Sequence, residues 1–159
     1  MRSLSVAVTQ MACSDSPSRN VERAVALVER AAARGAMVAV LQELFETPYF
    51  CIGIDASHRA LATVLADNPA VRAMQDRARA LKLVIPVSFY EQSGNSRFNT
   101  LAVIDADGSI LGCYRKSHIP DFPAYEEAFY FAPGDTGFGV WETKHVRLGA
   151  AVCWDQWFP

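Results

Sequence analysis

The chain has 159 residues, 51% hydrophobic and 20% charged, with a formal net charge of -2. That length suits one domain with a sizeable core, and that composition suits an ordinary globular protein. The near-neutral charge, with no basic stripe, excludes nucleic acid or an anionic membrane as the main partner. Met1-Arg2 and the alternating residues after them do not make a signal peptide. No run approaches the roughly 18 apolar residues of a membrane span. The cytoplasm is therefore the expected compartment, with Cys13, Cys51, Cys113 and Cys153 as reduced thiols. No Cys-x-x-Cys pair occurs, and His58, His118 and His145 lie far apart, so no zinc site is expected.

In chain order, residues 5–10 alternate and are rich in β-branched side chains, which reads as a first strand. Asp15, Ser16, Pro17 and Asn20 suit the start of a helix, and Val21, Ala24, Val25, Val28, Ala31 and Ala32 then recur at helical spacing. Gly35 ends that helix. Residues 37–41 form an apolar run, the mark of a strand covered on both faces. An aromatic loop with Phe45, Tyr49 and Phe50 follows, then a short helix over residues 58–65. Asn68-Pro69 opens a further helix, which Val71, Met74, Ala78 and Leu81 continue on one face. Residues 83–90 read as a strand and 93–95 as a turn. Residues 100–104 and 110–114 read as a hairpin joined through Asp105-Ala106-Asp107-Gly108. Residues 117–139 hold three prolines, three glycines and six aromatics, the composition of a long ordered loop. Residues 140–143 and 148–152 close the series as strands. The fold class is α/β, a mixed β-sheet with both helices packed on one face. The other face still carries apolar side chains and needs a cover.

Glu43, Lys116 and Cys153 each stand at or just past the end of an expected strand, where ligands gather in open α/β sheets. A cysteine attacks only as thiolate and needs a base or a nearby cation. Glu43 can take the proton, and Lys116 can supply the charge. Each residue alone also fits a plainer role: Glu43 as a solvated carboxylate, Lys116 as a surface lysine, Cys153 as a small core residue. Spacing alone does not join them.

Three stretches say more. Leu41-Gln42-Glu43-Leu44-Phe45, Tyr114-Arg115-Lys116-Ser117-His118-Ile119-Pro120 and Val152-Cys153-Trp154-Asp155-Gln156-Trp157-Phe158-Pro159 resemble the three signature blocks of the nitrilase superfamily of carbon–nitrogen hydrolases. A Glu, a Lys and a Cys occur there in this order, and the likeness runs the length of the chain. Ile85-Pro86-Val87-Ser88-Phe89, Phe129-Tyr130-Phe131 and Pro133-Gly134-Asp135-Thr136-Gly137-Phe138 narrow it. They are similar to the branch that acts on carbamoylated diamines such as N-carbamoylputrescine.

The resemblance implies Cys153 as nucleophile, Glu43 as general base and Lys116 as oxyanion-stabilising cation. It places the family's supporting glutamate on Glu127, with Glu126 the neighbouring candidate. The small-molecule substrate it implies is a carbamoylated amine, with no metal or organic cofactor. Tyr49, Tyr125, Trp154, Asp155 and Trp157 are the candidates to hold the substrate's free ammonium. Arg97 and Arg115 keep an acidic ureido substrate open, and a catalytically silent interaction module is the reading outside enzymes. The branch commonly has Gly-Pro-Gly where this chain has Phe122-Pro123-Ala124, so the loop before Glu127 is expected to differ in shape. The fold implied is the first part of an α-β-β-α sandwich: a single domain over residues 1–159 that stops after the nucleophile motif. Such a chain is expected to expose apolar surface, to be inactive as an isolated monomer and to form a homo-oligomer in its full-length protein.

Overall fold

The computed structural model describes residues 3–159; Met1 and Arg2 lie outside the described residues. Nine strands and two α-helices run in the order β1 (Val6–Val8), α1 (Pro17–Ala33), β2 (Val38–Val40), α2 (Pro69–Leu81), β3 (Ile85–Ser93), β4 (Ser96–Ile104), β5 (Ile110–Arg115), β6 (Asp121–Phe122), β7 (Tyr125–Glu126), β8 (Val140–Glu142) and β9 (Arg147–Gly149) among the described residues. β1 pairs with β2 in parallel, Val6 beside Val38 and Val8 beside Val40. β2 joins the next ladder through a parallel bridge between Val38 and Val84. There Ala39 N–H donates to the Val84 carbonyl at 3.0 Å, and Val84 N–H to the Met37 carbonyl at 3.0 Å. β3, β4 and β5 then meander antiparallel. The result is a mixed layer ordered β1-β2-β3-β4-β5.

Both helices cover one face. Ala24, Val28 and Ala31 of α1 and Val71, Met74 and Ala78 of α2 share a buried cluster with Ala39, Ile85, Val87, Phe89, Ala102 and Ile104 of the sheet. Period 2 sends those strand residues to the helix side, and period 3.6 gives each helix its stripe. The helix ends follow local chemistry. Asn68 accepts the Val71 N–H at 2.8 Å as N-cap, and Pro69 occupies the first turn. The opposite face is covered in part by the β8–β9 hairpin, whose Leu148, with Val146, packs against Val38, Val84 and Ala106. On the same face of β1, Val6 and Val8 are 52% and 80% exposed. Among the described residues, no helix is long and apolar enough to cross a membrane.

Three expectations are corrected and one is extended. The helix over residues 58–65 is a 3-10 turn at Ala56–Leu61, capped by Asp55 through the Ser57 N–H. The turn expected at residues 93–95 is present, at Gly94-Asn95, but it joins two strands longer than expected, with Ser93 paired to Ser96. The loop at 117–139 contains the two-residue strands β6 and β7 and a 3-10 turn at Glu127–Phe129. Residues 150–152 continue past β9 without a ladder partner, and Cys153 opens a 3-10 turn, Cys153–Trp157. Phe122-Pro123-Ala124 forms a tight turn between β6 and β7. Ala124 takes φ +68°, the left-handed conformation that glycine prefers, between the paired Phe122 and Tyr125.

Candidate active site

The site forms where the ends of β2 and β5 meet the turn after β7 and the turn after residue 152. Lys116 follows the last residue of β5 and is 1% exposed. Its backbone N–H donates to the Asn99 carbonyl at 2.9 Å, and its carbonyl accepts the Gly134 N–H at 2.8 Å. Gly134 lies so close that a Cβ there would sit 2.8 Å from the Lys116 carbonyl oxygen and nearer still to the Arg115 carbonyl. Gly134→Ala is therefore expected to lose about 1–3 kcal/mol, seen as a lower urea midpoint, because backbone must move.

The Lys116 ammonium sits between two carboxylates. Nζ donates to Glu43 Oε1 at 3.0 Å and to Glu127 Oε1 and Oε2 at 3.0 and 2.7 Å. Burial opposes the charge on Lys116, but the two carboxylates outweigh it and hold its pKa above the usual lysine value. Glu127 is fully buried, and burial pushes its carboxyl above the ordinary range against the pull of Lys116 and Tyr49. Tyr49 OH donates to Glu127 Oε1 at 2.7 Å, and Asn99 Nδ2 donates to Glu43 Oε1 at 2.6 Å. Glu43 precedes Leu44, whose φ of +50° is left-handed and whose N–H donates to Ser88 Oγ at 3.0 Å. The chain turns sharply there.

Cys153 also lies in the left-handed region, at φ +51°, and it is the exposed one of the four cysteines. For a residue with a Cβ that conformation costs about 1–2 kcal/mol, so surrounding structure must impose it. Asp155 does so. Its Oδ2 accepts the Val152 N–H at 2.9 Å and the Tyr114 OH at 2.6 Å. Its Oδ1 accepts the His118 N–H at 2.9 Å and faces His118 Nδ1 at 2.8 Å. Burial alone would raise the Asp155 carboxyl, but these donors hold it below the usual range. The Cys153 thiol is pushed up to about 11, first by burial and then by the Glu43 charge, with Lys116 acting against them. A thiol so placed stays protonated near neutral pH and needs a base to act. A cleft of about 250 Å³ lined by Leu41, Glu43, Ser88, Leu101, Leu148 and Cys153 adjoins it.

The structure thus brings Glu43, Lys116, Glu127 and Tyr49 into one bonded cluster, with Cys153 within the electrostatic reach of Glu43 and Lys116. Tyr125 lies tilted against Tyr49, with centroids 6.0 Å apart, and Phe122 bridges Tyr125 to Trp154 at 5.0 and 5.1 Å. Glu126 lies on β7 outside the cluster, opposite Asp121. One expected substrate ligand does not fit. Asp155 is 4% exposed, and both its oxygens are committed to chain donors, so it is an internal clamp. Trp157 is 76% exposed and stands outside the aromatic group that Tyr49, Phe122, Tyr125 and Trp154 form. Asn99 and Phe122 were not among the expected site residues. Asn99 was missed because the strand was expected to begin at residue 100, whereas β4 starts at Ser96 and holds Asn99 in its interior.

The profile of the carbon–nitrogen hydrolase family matches residues 5–159. The chain belongs to the carbon–nitrogen hydrolase family. It is 50% identical over 158 residues to an N-carbamoylputrescine amidase of Solanum tuberosum, covering 99% of this chain and 53% of that one. It is 41% identical over 159 residues to a citrullinase of Francisella tularensis, covering 100% of this chain and 56% of that protein. Its fold matches a crystal structure of a carbon–nitrogen hydrolase from Helicobacter pylori G27 with a TM-score of 0.91 at 34% identity, over 98% of this chain and 53% of that one. The chain thus spans about half the length of the curated relatives it matches. This carbon–nitrogen hydrolase chain brings its Glu, Lys and Cys blocks to one place from the ends of β2 and β5 and from the turn that follows the β8–β9 hairpin.

Proposed function

We propose that the protein is a cysteine-dependent amidohydrolase that cleaves the ureido C–N bond of a carbamoylated amine, N-carbamoylputrescine foremost. The observation that carries this reading is the buried Lys116 held between Glu43 and Glu127 beside the exposed Cys153. The relatives named for N-carbamoylputrescine and for citrulline support the substrate class, because both compounds carry a terminal ureido group.

In this reading Glu43 takes the Cys153 proton, and the thiolate sulfur bonds to the ureido carbon. The carbonyl oxygen gains negative charge beside the Lys116 ammonium and the Trp154 backbone N–H. Each such donor is worth about 3 kcal/mol in a transition state. The C–N bond then breaks, and Glu43 returns the proton to the leaving nitrogen. Water, deprotonated by the same carboxylate, attacks the carbamoyl thioester, and the sulfur leaves as thiol. The carbamate released breaks down, so the sum is carbamoylputrescine plus water to putrescine, carbon dioxide and ammonia. Glu127 keeps Lys116 charged and in place. Tyr49, Tyr125 and Trp154 offer aromatic surface to an alkylammonium tail.

An acidic ureido substrate would need a free arginine; Arg115 is taken, whereas Arg97 makes no salt bridge among the described residues and keeps that alternative open to test. The Arg115 guanidinium binds Glu91 at 2.8 and 2.8 Å and Asp135 at 2.8 Å, and lies 4.1 Å from the Phe98 ring centre. Ammonia release from N-carbamoylputrescine, citrulline and β-ureidopropionate by the purified full-length gene product tests the reading. N-carbamoylputrescine is expected to turn over fastest, and Cys153→Ala is expected to lose at least about 10⁴-fold in kcat. Faster turnover of β-ureidopropionate, or a Cys153→Ala variant as active as the parent, sinks it.

A further inference from the structure

Asn99 belongs to none of the blocks that carry Glu43, Lys116 and Cys153, yet it touches two of these residues. It is fully buried in β4. Its carbonyl accepts the Lys116 N–H at 2.9 Å, and its Nδ2 donates to Glu43 Oε1 at 2.6 Å. Lys116 Nζ donates to the same oxygen at 3.0 Å. Glu43 Oε1 therefore carries two nitrogen donors, and among the described residues no N–H donor reaches Oε2. Asn99 Oδ1 is buried with no hydrogen-bond partner among the described residues. A buried amide with an idle acceptor is a poor choice for stability alone, and such exceptions in native folds call for a reason. The reason lies at the other end of the amide.

We propose that Asn99 is a positioning residue for the Glu43 base: with Lys116 it pins Oε1, so that Oε2 alone is presented to the Cys153 thiol and later to the hydrolytic water. The inference rests on the reading of Glu43 as the base. A carboxylate held at one oxygen cannot turn to spend both oxygens on the ammonium, and proton transfer depends on that orientation. Donation to the ionised carboxylate also favours its charged form.

The test is the pH dependence of kcat and KM on N-carbamoylputrescine for the wild-type protein, Asn99→Leu and Asn99→Asp. Leu removes the donor at similar volume. Asp keeps the shape but sets an oxygen where the donor was. For Asn99→Leu, kcat is expected to fall about 10- to 100-fold with KM within about twofold, and the acid limb of the profile to move up by about one pH unit. Asn99→Asp is expected to move the acid limb the same way and further, because two carboxylates then face each other. Should Asn99→Leu fail to fold, the isosteric Asn99→Asp decides alone. Folded variants with the wild-type kcat and acid limb, or with a change in KM alone, overturn the role of Asn99 and leave the amidohydrolase reading standing. A full-length wild-type protein that releases no ammonia overturns that reading, and this inference with it.

Discussion

Lys116→Met is expected to cost about 3–5 kcal/mol of stability, the usual effect of removing one partner from a buried ion pair, and to lower turnover at least 10²- to 10³-fold. Met fills the channel of the lysine stem, so lost volume is not the cause. The cause is charge. Nζ is the cation shared by Glu43 and Glu127, and Glu127 is fully buried. Without it, Glu127 keeps only the Tyr49 hydroxyl and faces Glu43 with nothing between them. Burial already holds the Glu127 carboxyl above the ordinary range, and loss of the ammonium raises it further. A folded state whose carboxyl binds its proton more tightly than the unfolded chain loses stability as pH rises. The deficit of Lys116→Met is therefore largest near pH 8 and shrinks as pH falls toward the carboxylate range. The wild-type contribution of Lys116 runs on another scale. Its pKa is raised in the fold, so that contribution is complete below about 10.5 and is lost only as pH climbs through the folded value. Urea midpoints at pH 5 and pH 8 check this, and an equal deficit at both would refute it. The double variant Lys116→Met, Glu127→Gln should recover more than half the loss, because it removes the stranded charge as well.

What the amino-acid sequence discloses by itself follows the range of the forces involved. The helices α1 and α2 declare themselves through apolar spacing and through Asn68-Pro69 and Gly35, all local signals. β3 and β4 are harder to read as one hairpin because their tip, from Gln92 to Arg97, is polar and has no alternation to extend the apolar runs. Cys153, Lys116 and Glu43 were legible as a set only through motif resemblance, since 110 positions separate the first from the last and no periodicity spans them. The left-handed turn at Cys153 was hidden for a related reason. It is held by Asp155, whose partners Tyr114 and His118 lie 41 and 37 residues away. Without those partners in view, a carboxylate next to the nucleophile reads as a substrate ligand. Ala124 was legible only as a side chain where glycine is common; the Phe122–Tyr125 pairing places it in a left-handed turn and leaves the strain there.

Asp155→Ala is the second large effect. It is expected to cost about 3 kcal/mol, because the Tyr114 hydroxyl, the Val152 N–H and the His118 N–H all lose a charged acceptor, and a buried donor left unpaired costs about 1–3 kcal/mol. The kinetic loss is larger than a remote stability defect would produce. Val152 and Cys153 are neighbours, and the Val152 N–H bond to Asp155 is what bends the chain into the left-handed turn that exposes the thiol. Tyr114 and His118 flank Lys116 at two residues on either side, so the same carboxylate sets the nucleophile against the cation. A misplacement of about 1 Å costs about 100-fold in rate, and kcat on N-carbamoylputrescine should fall by about that factor. The rate of Cys153 alkylation should change in parallel. Asp155→Asn, which keeps the shape and one acceptor, should fall between the two. The fold holds the Asp155 carboxyl below its ordinary value, so its contribution is present above the unfolded value near 3.9 and is lost as pH falls through the lower folded one. The stability gap between wild type and Asp155→Ala should therefore stay level from pH 5 to pH 8 and close only below about pH 4. A gap that instead narrowed between pH 5 and pH 8 would refute the carboxylate as the source of the clamp.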